Sequence, residues 1–265
     1  MTATGKIGLA LGAGLSRGLA HIGVLQVLEE AGIKPDYIAG SSMGSVIGAL
    51  YASGLKLGMI TRLAQQISTR LWMDFTLPHK GLLAGEKLEE MLYLLTGRRS
   101  FSQLATPLAV VAVDLNSGEK TVLRKGSVAR AVRASCAIPG IFSPVKIGEK
   151  LLVDGGVLQR VPASVAREMG ADRVVAVDVG VNVGSYKIDH IFDVLSRSIE
   201  IMSLEIHQAQ KEDADLLITP SVENIGPFDF DRVEEIIERG RNAAVSQQLT
   251  RLVKSLKEGR PVAKN

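Results

Sequence analysis

Short apolar runs that end in glycine or aspartate alternate along this chain with stretches of helical spacing. The run at 7–11 breaks into Gly12-Ala13-Gly14-Leu15-Ser16-Arg17-Gly18, after which Leu19, Ile22, Val24, Leu25 and Leu28 recur on one helical face. Gly32 and Pro35 supply the stop and turn before a second strand at 37–39, and a buried helix follows over 46–51. Further on, the spacing predicts helices over 57–67 and 86–95, a fully buried strand over 108–113, a hairpin turn at Asn116-Ser117-Gly118 and a second strand near 121–123. A helix over 128–134 ends sharply at Ile138-Pro139-Gly140, and strands follow at 151–153, 174–177 and 216–218, the last two separated by a helix over 191–209. A long amphipathic helix within 229–256, with Glu234, Glu235, Arg239 and Arg241 on its charged face, precedes a loose tail at 257–265. Strands that alternate with helices in this way predict an α/β fold.

Composition narrows the class. With 265 residues, 46% hydrophobic and 22% charged, the chain is expected to be globular and to form one domain over 1–265. The formal net charge of +3 is spread without long basic blocks, so nucleic acid is not indicated, while peripheral contact with an anionic membrane surface is compatible. Cys136 is the only cysteine, which excludes a disulfide framework and a cysteine-rich metal site and fits a reducing compartment. The first residues lack a basic region followed by an apolar stretch and a cleavage site, so the expected location is cytoplasmic. Residues 37–55 carry no charge, but four glycines and four serines split them into a βα unit rather than a membrane span. The apolar segment 71–78, with the only Trp at 72, reads either as core or as a lid beside a lipid groove. The oligomeric state is not legible.

The chemistry concentrates at Gly40-Ser41-Ser42-Met43-Gly44, which falls where a strand breaks into a helix. A Gly-x-Ser-x-Gly turn in that context is a candidate nucleophile elbow: the flanking glycines permit the tight backbone, and the Ser42 oxygen is expected at the top of the sheet with helix amides pointing toward it. The glycine loop at 12–18 likewise presents amides at a helix start, suited to a phosphate or to the oxyanion of a reacting ester. A dinucleotide site would want an acidic residue at the end of the second strand, and Gly40-Ser41-Ser42 stands there instead. Asp114, Asp154 and Asp178 each end an apolar strand, and local pattern does not separate them as partners for Ser42. A Ser-acid-His triad would draw on His190 or His207, both at or inside predicted helix; His21 is also helical, and His79 precedes the two later aspartates.

In this order, the loop ending Ser16-Arg17-Gly18, the elbow at Ser42, the segment Ala134-Ser135-Cys136-Ala137-Ile138-Pro139 and the turn Asp154-Gly155-Gly156 resemble the patatin-like phospholipases, in particular their compact bacterial single-domain members, over roughly 7–179. The resemblance implies a three-layer α/β/α fold around a mostly parallel sheet and a serine lipid acyl hydrolase run by a Ser-Asp dyad. It makes Ser42 the nucleophile and Asp154 the general base, places an oxyanion hole among Gly12, Ala13, Gly14 and Leu15 beside Arg17, and has Gly40, Gly44, Gly155 and Gly156 shape the turns. The substrate would be a lipid or other acyl ester, with no metal and no cofactor. One departure stands out: where the family has three consecutive glycines, this chain has Ala13-Gly14-Leu15. The alternatives are a Ser-His-Asp esterase and a non-catalytic lipid-binding or regulatory protein on the same fold.

Overall fold

The computed structural model describes residues 5–66, 74, 76, 80–180, 187–208 and 213–245. In chain order the elements are β1 (Ile7–Leu11), α1 (Ala20–Glu30), β2 (Tyr37–Ser41), α2 (Met43–Ala52), α3 (Leu57–Gln66), α4 (Glu86–Leu95), β3 (Leu108–Asp114), β4 (Glu119–Leu123), α5 (Val128–Ser135), β5 (Val145–Ile147), β6 (Lys150–Asp154), α6 (Ala163–Glu168), β7 (Arg173–Val177), α7 (Ile191–Gln208), β8 (Leu216–Ile218) and α8 (Val233–Val245). The strands form one sheet in the order β5-β6-β3-β2-β1-β7-β8, with β4 also paired to β3. Pairing is parallel from β3 through β2, β1 and β7 to β8, and antiparallel where β4, β5 and β6 join.

The two faces of this sheet are built from different residues, as the period of two along each strand requires. Ala176, Ala10, Ala39 and Ala109 lie in register across β7, β1, β2 and β3, a row of methyl groups on one face. Against it pack Ala163, Val165 and Ala166 from α6. The approach is close enough that a Cβ at Gly8 would fall 2.7 Å from the Ala171 methyl. The opposite face carries Leu9, Leu11, Ile38, Val110, Val175 and Val177, covered by the apolar sides of α1, α2, α5 and α8. Glycines let two of these helices cross tightly: a Cβ on Gly23 of α1 would lie 2.0 Å from the Ile237 carbonyl, and one on Gly240 of α8 2.0 Å from the Ala20 carbonyl.

Helix α6 has no counterpart in the sequence expectation, because a six-residue, alanine-rich segment shows no spacing of large apolar groups. Helix α8 begins at Val233, within the expected region, and its expected extension to 256 and the tail at 257–265 lie outside the described residues. So does the 71–78 segment, apart from Asp74 and Thr76. The Asp74 carboxylate accepts the amides of Gly85, Glu86 and Lys87 and so caps α4. Among the described residues no helix is long and apolar enough to cross a membrane.

Candidate active site

Strand β3 brings the two key side chains together. Because β4 covers one edge of β3 from Val110 to Asp114, β2 and β6 must share the other edge. There Ser41 faces Val111 and Asp154 faces Ala112, so the end of β2 and the end of β6 meet one residue apart on the same template strand. Ser42, the next residue after β2, donates from Oγ to Asp154 Oδ2 at 2.6 Å. Both side chains are 5% exposed.

The serine sits in a backbone conformation that a side chain rarely adopts, φ 50° and ψ −123°. Such strain costs on the order of 1–3 kcal/mol and persists only where the surroundings over-determine it. Here Ser135 Oγ accepts the Ser42 amide at 2.8 Å while donating to the Val111 carbonyl at 2.6 Å, and Ser45 Oγ donates to the Ser42 carbonyl at 2.6 Å. The glycines of the elbow allow close packing, since a Cβ on Gly44 would sit 2.1 Å from the Leu11 carbonyl and one on Gly40 2.5 Å from Ser45 Cα. Ser42 is thereby fixed at the N-cap of α2, whose dipole favours negative charge at that end.

Asp154 is held just as tightly, with Oδ1 accepting the Gly156 amide at 2.7 Å. Gly155 leaves no room for a side chain, because a Cβ there would approach the Val111 carbonyl to 2.3 Å. Burial raises the Asp154 pKa from 3.8 to about 6, against the lowering effect of the Ser42 and Gly156 hydrogen bonds. The carboxylate is therefore ionised at neutral pH yet far more basic than a surface aspartate.

The glycine loop arches over this pair. Its amides divide into two groups: Gly12 donates to the Val177 carbonyl at 3.0 Å, Ala13 to Arg160 at 2.9 Å, Ser16 to Pro227 at 3.2 Å and Arg17 to Gly14 at 3.1 Å. The amides of Gly14 and Leu15 make no hydrogen bond among the described residues. Arg17 is an anchor, its Nε donating to the Ile225 carbonyl at 2.8 Å and its Nη1 to Glu200 at 2.7 Å. Leu15 takes φ 51°, the left-handed region where glycine is the ordinary occupant.

Two pockets meet at Ser42, Leu15 and Ile138. One is apolar, walled by Val46 and Leu50 of α2, Ile60 and Leu63 of α3, Met91 of α4 and Phe142, among others. The other, the polar pocket only by virtue of its charged residues, takes in Asp154, Arg17, Arg160, Ser196 and Glu200 beside the apolar Ile138, Pro139, Val157 and Ile199. Cys136 lies in the apolar wall, where burial pushes its thiol up to about 12 and keeps it protonated beside the serine.

Of the residues singled out in the sequence, Ala13, Gly14, Leu15, Arg17, Ser42, Asp154 and Gly156 border the polar pocket, whereas Gly12, Gly40, Gly44 and Gly155 lie behind it and shape the backbone. The three strand-end aspartates separate cleanly. Asp114 accepts the amides of Asn116 and Leu151 in the β3–β4 corner, and Asp178 accepts the Gly180 amide; Asp154 is the one bonded to Ser42. No histidine joins the pair among the described side chains. His21 is buried with Nε2 2.8 Å from the Gly12 carbonyl, its pKa lowered to about 4 by burial, and His190 is exposed ahead of α7. His79 and the His207 side chain lie outside the described set. Ser135, Ser45 and Arg160 carried no role in the sequence reading; a serine close before Ile138-Pro139 and an arginine soon after Asp154-Gly155-Gly156 were the available signals.

A family model described as patatin-like phospholipase matches residues 9–167, more than half of the chain. An uncharacterized NTE family protein of Mycobacterium tuberculosis is 37% identical over 177 residues, 66% of this chain and 49% of that protein. Patatin-like phospholipase domain-containing protein 6 of Mus musculus is 36% identical over 183 residues, 66% of this chain and 13% of that protein. The chain thus spans about half, or less, of the length of these curated relatives. Among solved structures, VipD from Legionella pneumophila aligns with a TM-score of 0.68 at 13% identity, over 95% of this chain and 67% of that one. The type III effector protein ExoU aligns at 0.51 with 14% identity, over 96% and 53%. These two likenesses bear on the fold.

Proposed function

The chain belongs to the patatin-like phospholipase family, and on that premise we propose that it is a serine acyl hydrolase cleaving carboxylic esters of lipids through an acyl-Ser42 intermediate. The observation that carries this reading is the 2.6 Å hydrogen bond from Ser42 Oγ to a buried Asp154, with Ser42 itself lining an apolar pocket.

The chemistry follows from the atoms present. As Ser42 Oγ attacks the ester carbonyl carbon, its proton passes to Asp154 Oδ2. The developing oxyanion is met by the amides of Gly14 and Leu15, the two loop donors with no other partner among the described residues. Collapse breaks the bond to the alcohol, which leaves with the proton from Asp154. Water then repeats the sequence on the acyl-serine, and a fatty acid is released. Asp154 suits this role because its raised pKa makes it a better base than an exposed carboxylate while leaving it ionised near neutrality.

Labelling with a fluorophosphonate, mapped by peptide mass spectrometry and run beside hydrolysis of p-nitrophenyl butyrate, tests the reading. Label on Ser42 with turnover, both lost in Ser42→Ala, is the expected result. A folded protein that takes no label and turns over no ester would be a lipid-binding protein on a hydrolase fold.

A further inference from the structure

The polar pocket holds a charge that acyl transfer does not use. Arg160 follows closely after Asp154, and its carbonyl accepts the Ala13 amide, so its main chain is part of the support of the glycine loop. Its side chain is 6% exposed and borders the pocket. A guanidinium carries five N–H donors, and those of Arg160 make no hydrogen bond among the described residues. Its ion-pair neighbour, Asp178, stands 3.7 Å from Nε, beyond hydrogen-bond reach, and that carboxylate already accepts the Gly180 amide. Arg160 lines the pocket beside Arg17, Glu200 and Asp154.

The room for this fork is built in. A Cβ on Gly180 would fall 1.1 Å from Arg160 Nη2, so any residue larger than glycine there would displace the guanidinium. The other charges of the pocket already have counterparts: Glu200 accepts from Arg17 at 2.7 Å and lies 4.0 Å from Arg197 Nε. Burial lowers the Arg160 pKa, but an arginine stays protonated in a protein. Asp178 and Glu200 offset the charge of this buried cation, but its N–H donors remain unengaged, and phosphate fits a guanidinium fork in two places at once.

The position says which part of a substrate would bring that anion. An acyl chain occupies the apolar pocket, so the alcohol side of an ester at Ser42 is directed into the polar one. Resting on the hydrolase reading, we infer that Arg160 is a specificity-determining residue that recognises a phosphate carried on the alcohol side of the ester.

Two esters with the same acyl chain separate this inference from the general reading: monolauroyl glycerophosphate and monolauroylglycerol, compared by kcat/KM below the concentration at which either aggregates. The wild type is expected to prefer the phosphate ester, and Arg160→Gln to reduce that preference about 10- to 100-fold, the loss expected for a hydrogen bond between charged groups. Gly180→Ala, which keeps the arginine but moves its fork, should reduce the preference in the same direction. A loss shared equally by both esters, or an unchanged preference, overturns the inference. So does inhibition by inorganic phosphate in the wild type with no preference between the esters, which would assign the arginine to a free anion. Should the folded wild type hydrolyse neither ester and take no label at Ser42, the hydrolase reading falls, and titration decides the rest. Tighter binding of monolauroyl glycerophosphate to wild type than to Arg160→Gln then supports the recognition, and equal binding overturns it.

Discussion

The two pockets that meet at Ser42 differ in how their walls would hold a substrate. The apolar wall is assembled from the facing stripes of α2, α3 and α4, and each methylene moved into it from water contributes about 0.8 kcal/mol, without regard to direction. The polar wall is assembled from side chains on separate segments, Arg17 beside β1, Arg160 after β6 and Glu200 on α7. The first should therefore respond to acyl length by degrees, and the second to the head group by presence or absence. Ser42 lies on the boundary with Asp154 on the charged side, so under the proposed function an ester would sit with its tail toward the helices and its alcohol toward the charges.

The largest effect should come at that boundary. Asp154→Asn keeps the shape and removes the base, and a general base contributes about 10²–10⁴-fold to the rate; kcat should fall within that range. In the wild type, kcat/KM should rise with pH and level off above about 6, as the carboxylate ionises. Stability should move the opposite way. With a folded pKa of about 6 against an ordinary 3.8, the native state binds more protons than the unfolded chain between those values. Stability from this group is then full below the lower value and is lost as pH rises through the upper one. Asn cannot ionise, so Asp154→Asn should melt higher than wild type near neutrality, by about 1–3 kcal/mol, with no gain in acid below the ordinary carboxylate range. Thermal melts at the two pH values, beside the rate profile, check both halves; a variant less stable at neutral pH would show that burial does not strain the charge.

A smaller, graded effect is expected in the apolar pocket. Ala64 of α3 is buried in its wall, and Ala64→Leu should shorten the space for the tail. Against p-nitrophenyl butyrate the variant should match wild type, while against the laurate kcat/KM should fall about tenfold for each pair of methylenes excluded, at ~0.8 kcal/mol each. An equal loss on both esters would mean that the tail does not enter between α2 and α3.

The same contrast explains what the sequence could reveal. Strands β1, β2, β3 and β7 announce themselves as apolar runs, and the elbow as glycines around a serine at a strand end, because their signals are local. Helix α6 packs on a row of alanines in the sheet, so it has no need of large residues and leaves no periodic trace. The choice among Asp114, Asp154 and Asp178 is not local at all: it depends on β6 running antiparallel on the edge of β3 that β2 vacates at Ser41. Ser135 and Arg160 are likewise ordinary residues until the fold sets one against the Ser42 amide and the other in the pocket.

Leu15 stands where the two pockets join, and its replacement should have the smallest effect. Its left-handed backbone costs about 1–2 kcal/mol, which glycine would recover, while its half-buried side chain contributes a similar amount by packing on the core. Leu15→Gly should therefore leave stability within about 1 kcal/mol of wild type. The amide offered to the oxyanion belongs to the backbone and survives the change, so kcat on a straight short-chain ester should shift by no more than about fivefold, the equivalent of 1 kcal/mol. What should change is the partition: without the side chain, the passage at Ser42 widens, and esters with a branch beside the carbonyl should gain on straight ones. A fall in kcat of two orders of magnitude on every ester would instead show that the leucine holds the loop amides in place, and the side chain would then belong to the oxyanion hole rather than to the wall between tail and head.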